Sequence, residues 1–151
     1  MKFFSSSATN KVDAKGRVSI PAPFRKVLAG EGSPLLHLRP EVQGKPAIEG
    51  FGDAYYEKTA MELGRMAPTD PAFDALTDLM ISRTSSMPLD ETGRIVLPAA
   101  LREAAGIEGE AIFVGRIHTF QIWKPENYYA LQADLRATAE ANFDKMPWGG
   151  A

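Results

Sequence analysis

Two short segments carry most of the chemistry open to this sequence: Asp13-Ala14-Lys15-Gly16-Arg17 and Asp90-Glu91-Thr92-Gly93-Arg94. Asp13 and Gly16 take the first and last places of a four-residue turn, as do Asp90 and Gly93, which predicts a type I or related turn with an Asx hydrogen bond. A hairpin tip carrying Lys15 and Arg17 can enter the major groove as a two-stranded ribbon, with the arginine matched to the O6 and N7 acceptors of guanine and lysines holding the phosphate backbone. The candidate DNA-binding residues are Lys11, Lys15, Arg17 and Arg25 in the first copy and Arg94 and Arg102 in the second. Asp13, Gly16, Asp90 and Gly93 are candidate turn-forming residues. A second role is open to each arginine. Arg17 and Arg94 can pair with Asp13 and Asp90 and lock their turns, while Arg25 and Arg102, on short helices, can be solvated or brace a turn. The second segment has Glu91-Thr92 where the first has Ala14-Lys15, so equal DNA binding by both is not expected.

Residues suited to catalysis are scarce. His37 and His118 are the only histidines; one lies in an alternating strand, the other in a predicted hairpin turn, and neither has a ligand pattern around it. Asp74 and Asp78 read as charges on an exposed helix face, Ser5 to Ser7 have no nucleophile context, and no glycine loop could cradle phosphate. The pairs Tyr55-Tyr56 and Tyr128-Tyr129 read as core or interface. No enzyme activity, cofactor or metal is expected.

The two segments belong to an internal repeat. Residues 12–25 align without gaps on residues 89–102, with six of fourteen positions identical and four more exchanging one apolar residue for another. Val18 and Ile20, like Ile95 and Leu97, alternate as in a strand with one buried face. Pro21 and Pro98 then open short helices, which Gly30 and Gly106 are expected to stop. Leu35 to Leu38 with Ala47 to Phe51, and Ala111 to Val114 with Phe120 to Trp123, read as hairpins. Each copy is thus strand, turn, strand, short helix, hairpin, with repeats expected at 7–54 and 83–126. Helical segments are expected at 55–82 and 127–143 and a flexible tail at 144–151. Asp53 to Met66 reads as one helix of the linker, and Asp70-Pro71 caps another. The last helix carries Leu131, Leu135, Ala139 and Phe143 on one stripe, a face to be covered by the chain's own sheet or by another subunit.

Composition sets the outer bounds. With 44% hydrophobic and 24% charged residues the chain can bury one core or two small ones sharing an interface. Absent cysteine removes disulfides and thiolate chemistry and fits a reducing compartment. Met1 to Ala8 holds too short an apolar run for a secretory signal, and no stretch reaches membrane-span length, so a cytoplasmic protein without a membrane partner is expected. The net charge of −2 offers polyanions nothing in general. Its distribution does: residues 1–30 hold Lys2, Lys11, Lys15, Arg17, Arg25 and Lys26 against Asp13 alone, leaving the rest strongly acidic.

The doubled Asp-x-x-Gly-Arg motif, each followed by an apolar strand and proline, resembles the MraZ family, of the AbrB-like group of swapped-hairpin β-barrel DNA binders; the likeness spans nearly the whole chain. The resemblance implies a mainly β fold with short helices, a double-split β-barrel built from two repeats. It also implies a homo-oligomer larger than a dimer, in the form of a ring. That ring would bind short repeated sequences of double-stranded DNA upstream of the division and cell-wall gene cluster, at the nucleoid. An AbrB-like antitoxin and a non-DNA-binding assembly protein are the alternatives. Antitoxins of this group typically carry one motif per chain, so the duplication counts against the first.

Overall fold

The computed structural model describes residues 2–148, so Met1 of the N-terminal segment and residues 149–151 of the expected tail lie outside the described residues. In chain order the elements are β1 Ser7–Lys11, β2 Arg17–Ser19, α1 Ala22–Gly30, β3 Leu36–Pro40, β4 Ala47–Phe51, α2 Asp53–Leu63, α3 Pro71–Thr77 and a π-helical turn Asp78–Ser82. There follow β5 Ser85–Met87, β6 Arg94–Val96, α4 Ala99–Ala105, β7 Glu110–Arg116, β8 Thr119–Trp123, α5 Pro125–Ala141 and a 3-10 turn Phe143–Lys145. The two copies therefore repeat one element order.

The pairing exchanges strands between copies. A six-stranded antiparallel sheet runs β1-β7-β8-β4-β3-β5, and β2 and β6 form a separate two-stranded ribbon. Each copy's first strand thus pairs with the other's third, the two fourth strands meet at Ile48↔Ile122, and the two second strands meet at Val18↔Ile95. These two centres lie on one approximate two-fold. This is the expected swapped-hairpin, mainly β fold, although among the described residues the strands do not close into one hydrogen-bonded barrel: the ribbon packs over the sheet.

Burial explains why it does so. Val18, Ile20, Ile95 and Leu97 turn inward onto Phe113, Phe120, Ile48 and Ile122, so residues of both copies make a single core. Neither copy of roughly fifty residues could close a core of that size by itself. Phe24 of α1 stands near its middle, with ring centroids 5.0 Å from Phe120 and 5.4 Å from Phe4.

Two local readings need correction. The helix α1 runs through Gly30 and is stopped by Gly32, whose φ of +67° allows the Ser33 N–H to reach the Leu28 carbonyl at 3.0 Å. Gly106 does the same work for α4, as expected, with the Ile107 N–H on the Arg102 carbonyl at 3.0 Å. In α5, Tyr128, Leu131 and Leu135 pack on Ile112, Val114 and Trp123 of the sheet, whereas Ala139 and Phe143 are exposed. The expected stripe is covered only along its first half, because β7 ends at Arg116. The second correction concerns the turns: Asp13–Gly16 and Asp90–Gly93 do not cap hairpins, since each joins a strand of the sheet to a strand of the ribbon.

A polar network fastens the linker to the other half of the sheet. The buried guanidinium of Arg39 lies 4.6 Å over the Phe51 ring and donates to Glu49 at 3.2 Å and to the Met80 carbonyl at 3.3 Å. His37 is buried, with Nδ1 2.6 Å from Ser86 Oγ and Nε2 2.6 Å from Asp53. It is a structural histidine, while His118 is exposed in the β7–β8 turn. Asp78 is likewise an exposed charge, paired with Arg83 at 3.0 Å.

Candidate nucleic-acid interface

Each Asp-x-x-Gly-Arg segment folds into the same hydrogen-bonded unit. The Asp13 carbonyl accepts the Gly16 N–H at 3.0 Å, and Oδ1 accepts the N–H groups of Lys15 and Arg17, both at 2.9 Å. In the second copy the Asp90 carbonyl accepts the Gly93 N–H at 3.0 Å, and Oδ1 accepts from Thr92 at 2.8 Å and Arg94 at 2.9 Å. Gly16 at φ +85° and Gly93 at φ +79° take a left-handed conformation that a side chain would strain, which is why glycine stands before each arginine. Donors converging on the carboxylates favour their charged form. The Arg17 N–H holds the Asp13 carboxyl below its usual range, helped by the Arg17 side chain, and the Arg94 N–H does the same to Asp90 more strongly, with Thr92 adding to it.

The arginines are oriented by the same carboxylates. Arg17 Nε donates to Asp13 Oδ2 at 2.7 Å and Arg94 Nε to Asp90 Oδ2 at 3.0 Å. Only the inner nitrogen of each guanidinium is engaged: among the described residues neither arginine's terminal nitrogens form a hydrogen bond. The turn-locking role and a base-reading role are therefore compatible. Clamping Nε fixes the plane of the guanidinium and leaves its outer fork, the part that matches guanine, free.

The ribbon brings the two arginines together. With Val18 and Ile95 inward, Arg17, Ser19, Arg94 and Val96 face outward, in the register Arg17↔Val96 and Ser19↔Arg94. Lys11 at the end of β1 joins Arg17, Ser19 and Arg94 around one shallow concavity. Lys15 is exposed in the adjoining turn. The two-stranded element expected at a hairpin tip is thus assembled from both copies. Of the other N-terminal cations, Lys2 lines a separate apolar hollow of about 660 Å³ with Phe4, Val27, Leu63 and Ile117, so the basic segment does not form one face.

Arg25 and Arg102 also reach backbone. Arg102 Nε donates to the Ile107 carbonyl at 3.2 Å and its Nη2 to the Glu108 carbonyl at 3.3 Å; a Cβ placed on Gly16 would lie 3.3 Å from its Nη1. Arg25 reaches the Thr92 carbonyl at 3.4 Å. Each copy's helix arginine lies against the other copy's turn. Their types and positions pointed equally to bracing and to phosphate, and only the strand exchange reveals what they meet. The outward places of Ser19 and Val96 were implicit in the alternation, but their position between two arginines depended on the β2–β6 pairing.

Among the described residues no group of three or more His, Asp or Glu could hold a metal ion, and no helix is long and apolar enough to cross a membrane.

Comparison with known proteins converges on one family. Residues 80–146 match the family described as "MraZ protein, putative antitoxin-like". The chain is 38% identical over 136 residues to the transcriptional regulator MraZ of Azorhizobium caulinodans, covering 90% of this chain and 86% of the relative. It is 39% identical over 139 residues to that of Parvibaculum lavamentivorans, with the same coverage, and 34% identical over 126 residues to that of Rickettsia bellii, covering 83% of each.

Proposed function

The chain belongs to the MraZ family of transcriptional regulators, and on that premise we propose that it binds double-stranded DNA sequence-specifically through the outward face of the β2–β6 ribbon. The observation that carries the reading is the pair of arginines on that face, each clamped at Nε by its own turn and open at its outer fork. The major groove admits a two-stranded ribbon, and arginine donates two bonds to guanine O6 and N7. Lys11 and Lys15 flank the face and hold phosphates, which sets register without reading sequence. Because Asp13 and Asp90 orient the arginines in advance, less side-chain freedom is lost on binding. Arg25 and Arg102 support the turns from behind.

One ribbon is a small reader, so the regulator works as a homo-oligomeric ring that engages several short DNA repeats upstream of the division and cell-wall genes. The exposed second half of α5 and the aromatics that follow it, Phe143 at 63% and Trp148 at 65% exposure, support such an assembly. On this reading the protein acts in the cytoplasm, at the nucleoid.

The test is a mobility-shift titration with DNA from upstream of the protein's own gene, against a scrambled duplex of equal length, at rising salt. A tight complex with the native duplex is expected, weakening steeply with salt as counterions are released. Equal affinity for the scrambled duplex, or none for either, overturns the reading.

A further inference from the structure

Val96 is the one outward residue of the ribbon that carries neither charge nor hydrogen-bonding group, and 54% of its surface is open to water. In the repeat its counterpart is Ser19. The approximate two-fold of the fold would make the two outward cross-strand pairs of the ribbon equivalent, but the side chains break that equivalence. One cross-strand pair sets Arg17 opposite Val96, and the other sets Arg94 opposite Ser19.

Resting on the DNA-binding reading above, we propose that Val96 is a specificity-determining residue that contacts a thymine methyl beside the guanine read by Arg17. In the major groove thymine differs from cytosine by its O4 acceptor and by the C5 methyl, and only an apolar side chain recognises the methyl. Directly paired residues on one face of an antiparallel ribbon have Cβ atoms about 5 Å apart. Successive bases on a strand are about 3.4 Å apart along the axis. Arg17 and Val96 therefore address neighbouring base pairs. Burying the valine against a methyl also removes its exposed apolar surface from water, a gain that charged or hydroxylated residues at this place would not make. At the related position Ser19 offers a hydroxyl, which accepts several base edges and selects no methyl.

The footprint of one subunit follows from this. A two-fold scaffold with equal halves would read a palindrome; with a methyl reader in one cross-strand pair, and with Lys15 in the first turn where the second has Thr92, each subunit reads a directional element.

Deoxyuridine is thymine without the methyl and keeps the same pairing, so replacing thymines one at a time in the bound upstream duplex isolates the contact. For the parent protein, one thymine per repeat should lower affinity about fourfold for each engaged subunit when its methyl is removed, the worth of roughly one buried methylene. The Val96→Ala variant should bind the thymine duplex more weakly and lose that sensitivity. Ser19→Val should gain a second sensitive thymine. Both positions face solvent, so circular dichroism and oligomer size should match the parent. The proposal is overturned if the parent binds every deoxyuridine duplex as tightly as the original, or if Val96→Ala keeps the parent's sensitivity. A parent that binds no duplex sinks the DNA-binding reading itself, which separates the two failures.

Discussion

Arg25 Nη1 lies 3.4 Å from the carbonyl oxygen of Thr92, 67 residues away in sequence, and so ties the first copy's helix to the second copy's turn. Arg102 stands in the related place against Gly16 and also holds the Ile107 and Glu108 carbonyls. Removing either guanidinium should act on the fold before it acts on DNA. Arg102→Ala, which loses two backbone acceptors, should lower stability by about 1–2 kcal/mol, and Arg25→Ala by less, since it loses one long bond. Urea unfolding checks this: a parental midpoint for Arg102→Ala with a loss of DNA affinity would instead make Arg102 a direct DNA contact.

The outward arginines should behave in the opposite way. Arg17→Ala should leave the unfolding midpoint near the parent's while costing about 1–3 kcal/mol of DNA affinity per engaged subunit and relaxing sequence preference. Arg94→Ala should cost less, because Asp90 and Glu91 leave the second turn without the positive field that Lys15 supplies to the first. Lys15→Ala should weaken all duplexes about equally and flatten the salt dependence. If Arg17→Ala binds like the parent, or loses binding only because its assembly is lost, the first turn is purely structural.

How much of this the sequence could reveal varied with the range of the interactions. The turns were legible, since aspartate, glycine and arginine at fixed spacing satisfy one another within five residues. So were the strands, since Val18 and Ile20 alternate locally. Which of Gly30 and Gly32 ends α1 was not, because both are glycine and only the Ser33–Leu28 bond distinguishes them. Helical spacing aligned Leu131, Leu135, Ala139 and Phe143 on one face, but where that face ceases to be covered depends on the length of β7, a distant element. The partners of Arg25 and Arg102 were least legible, since the exchange of strands between copies alone brings them into contact.

Acid should loosen both turns. A carboxylate whose native pKa is depressed contributes stability that is complete above its ordinary value of 3.8 and is lost as pH falls below it toward the native value. Asp13 and Asp90 both fall in this class, Asp90 the further. The unfolding midpoint should therefore decline below about pH 4, and less steeply in a double Asp13→Asn, Asp90→Asn variant that has nothing to protonate there. Parallel declines for parent and variant between pH 5 and 2 would show that other carboxylates dominate.

Gly50 should not tolerate a methyl group. It pairs with Phe120 across β4 and β8, and a Cβ there would run into the Phe120 ring. That ring is fully buried against Phe4, Phe24 and Phe113 and has nowhere to move. Gly50→Ala should therefore destabilise by about 1–3 kcal/mol through overpacking. A parental midpoint by calorimetry would show that the sheet yields at this place.

Assembly and DNA affinity should rise and fall together. The ribbon of one subunit exposes two arginine forks and little else, so one repeat engaged by one subunit should bind weakly. Linking several ribbons in a ring makes each later contact intramolecular, with effective concentrations up to the millimolar range when spacing allows. The apolar surface available for that linkage is concentrated where α5 leaves the sheet: Ala139 is exposed, and Phe143 and Trp148, both largely exposed, have ring centroids 6.2 Å apart. Light scattering at micromolar concentration should return a species larger than a dimer, and an array of correctly spaced repeats should bind far more tightly than a single one. Replacing Phe143 and Trp148 by serine should shrink the assembly, leave the core intact by circular dichroism, and reduce affinity for the array toward that for the single repeat. A monomer from the parent protein, or equal affinity for one repeat and for the array, would remove the ring from the mechanism and leave each ribbon to act alone.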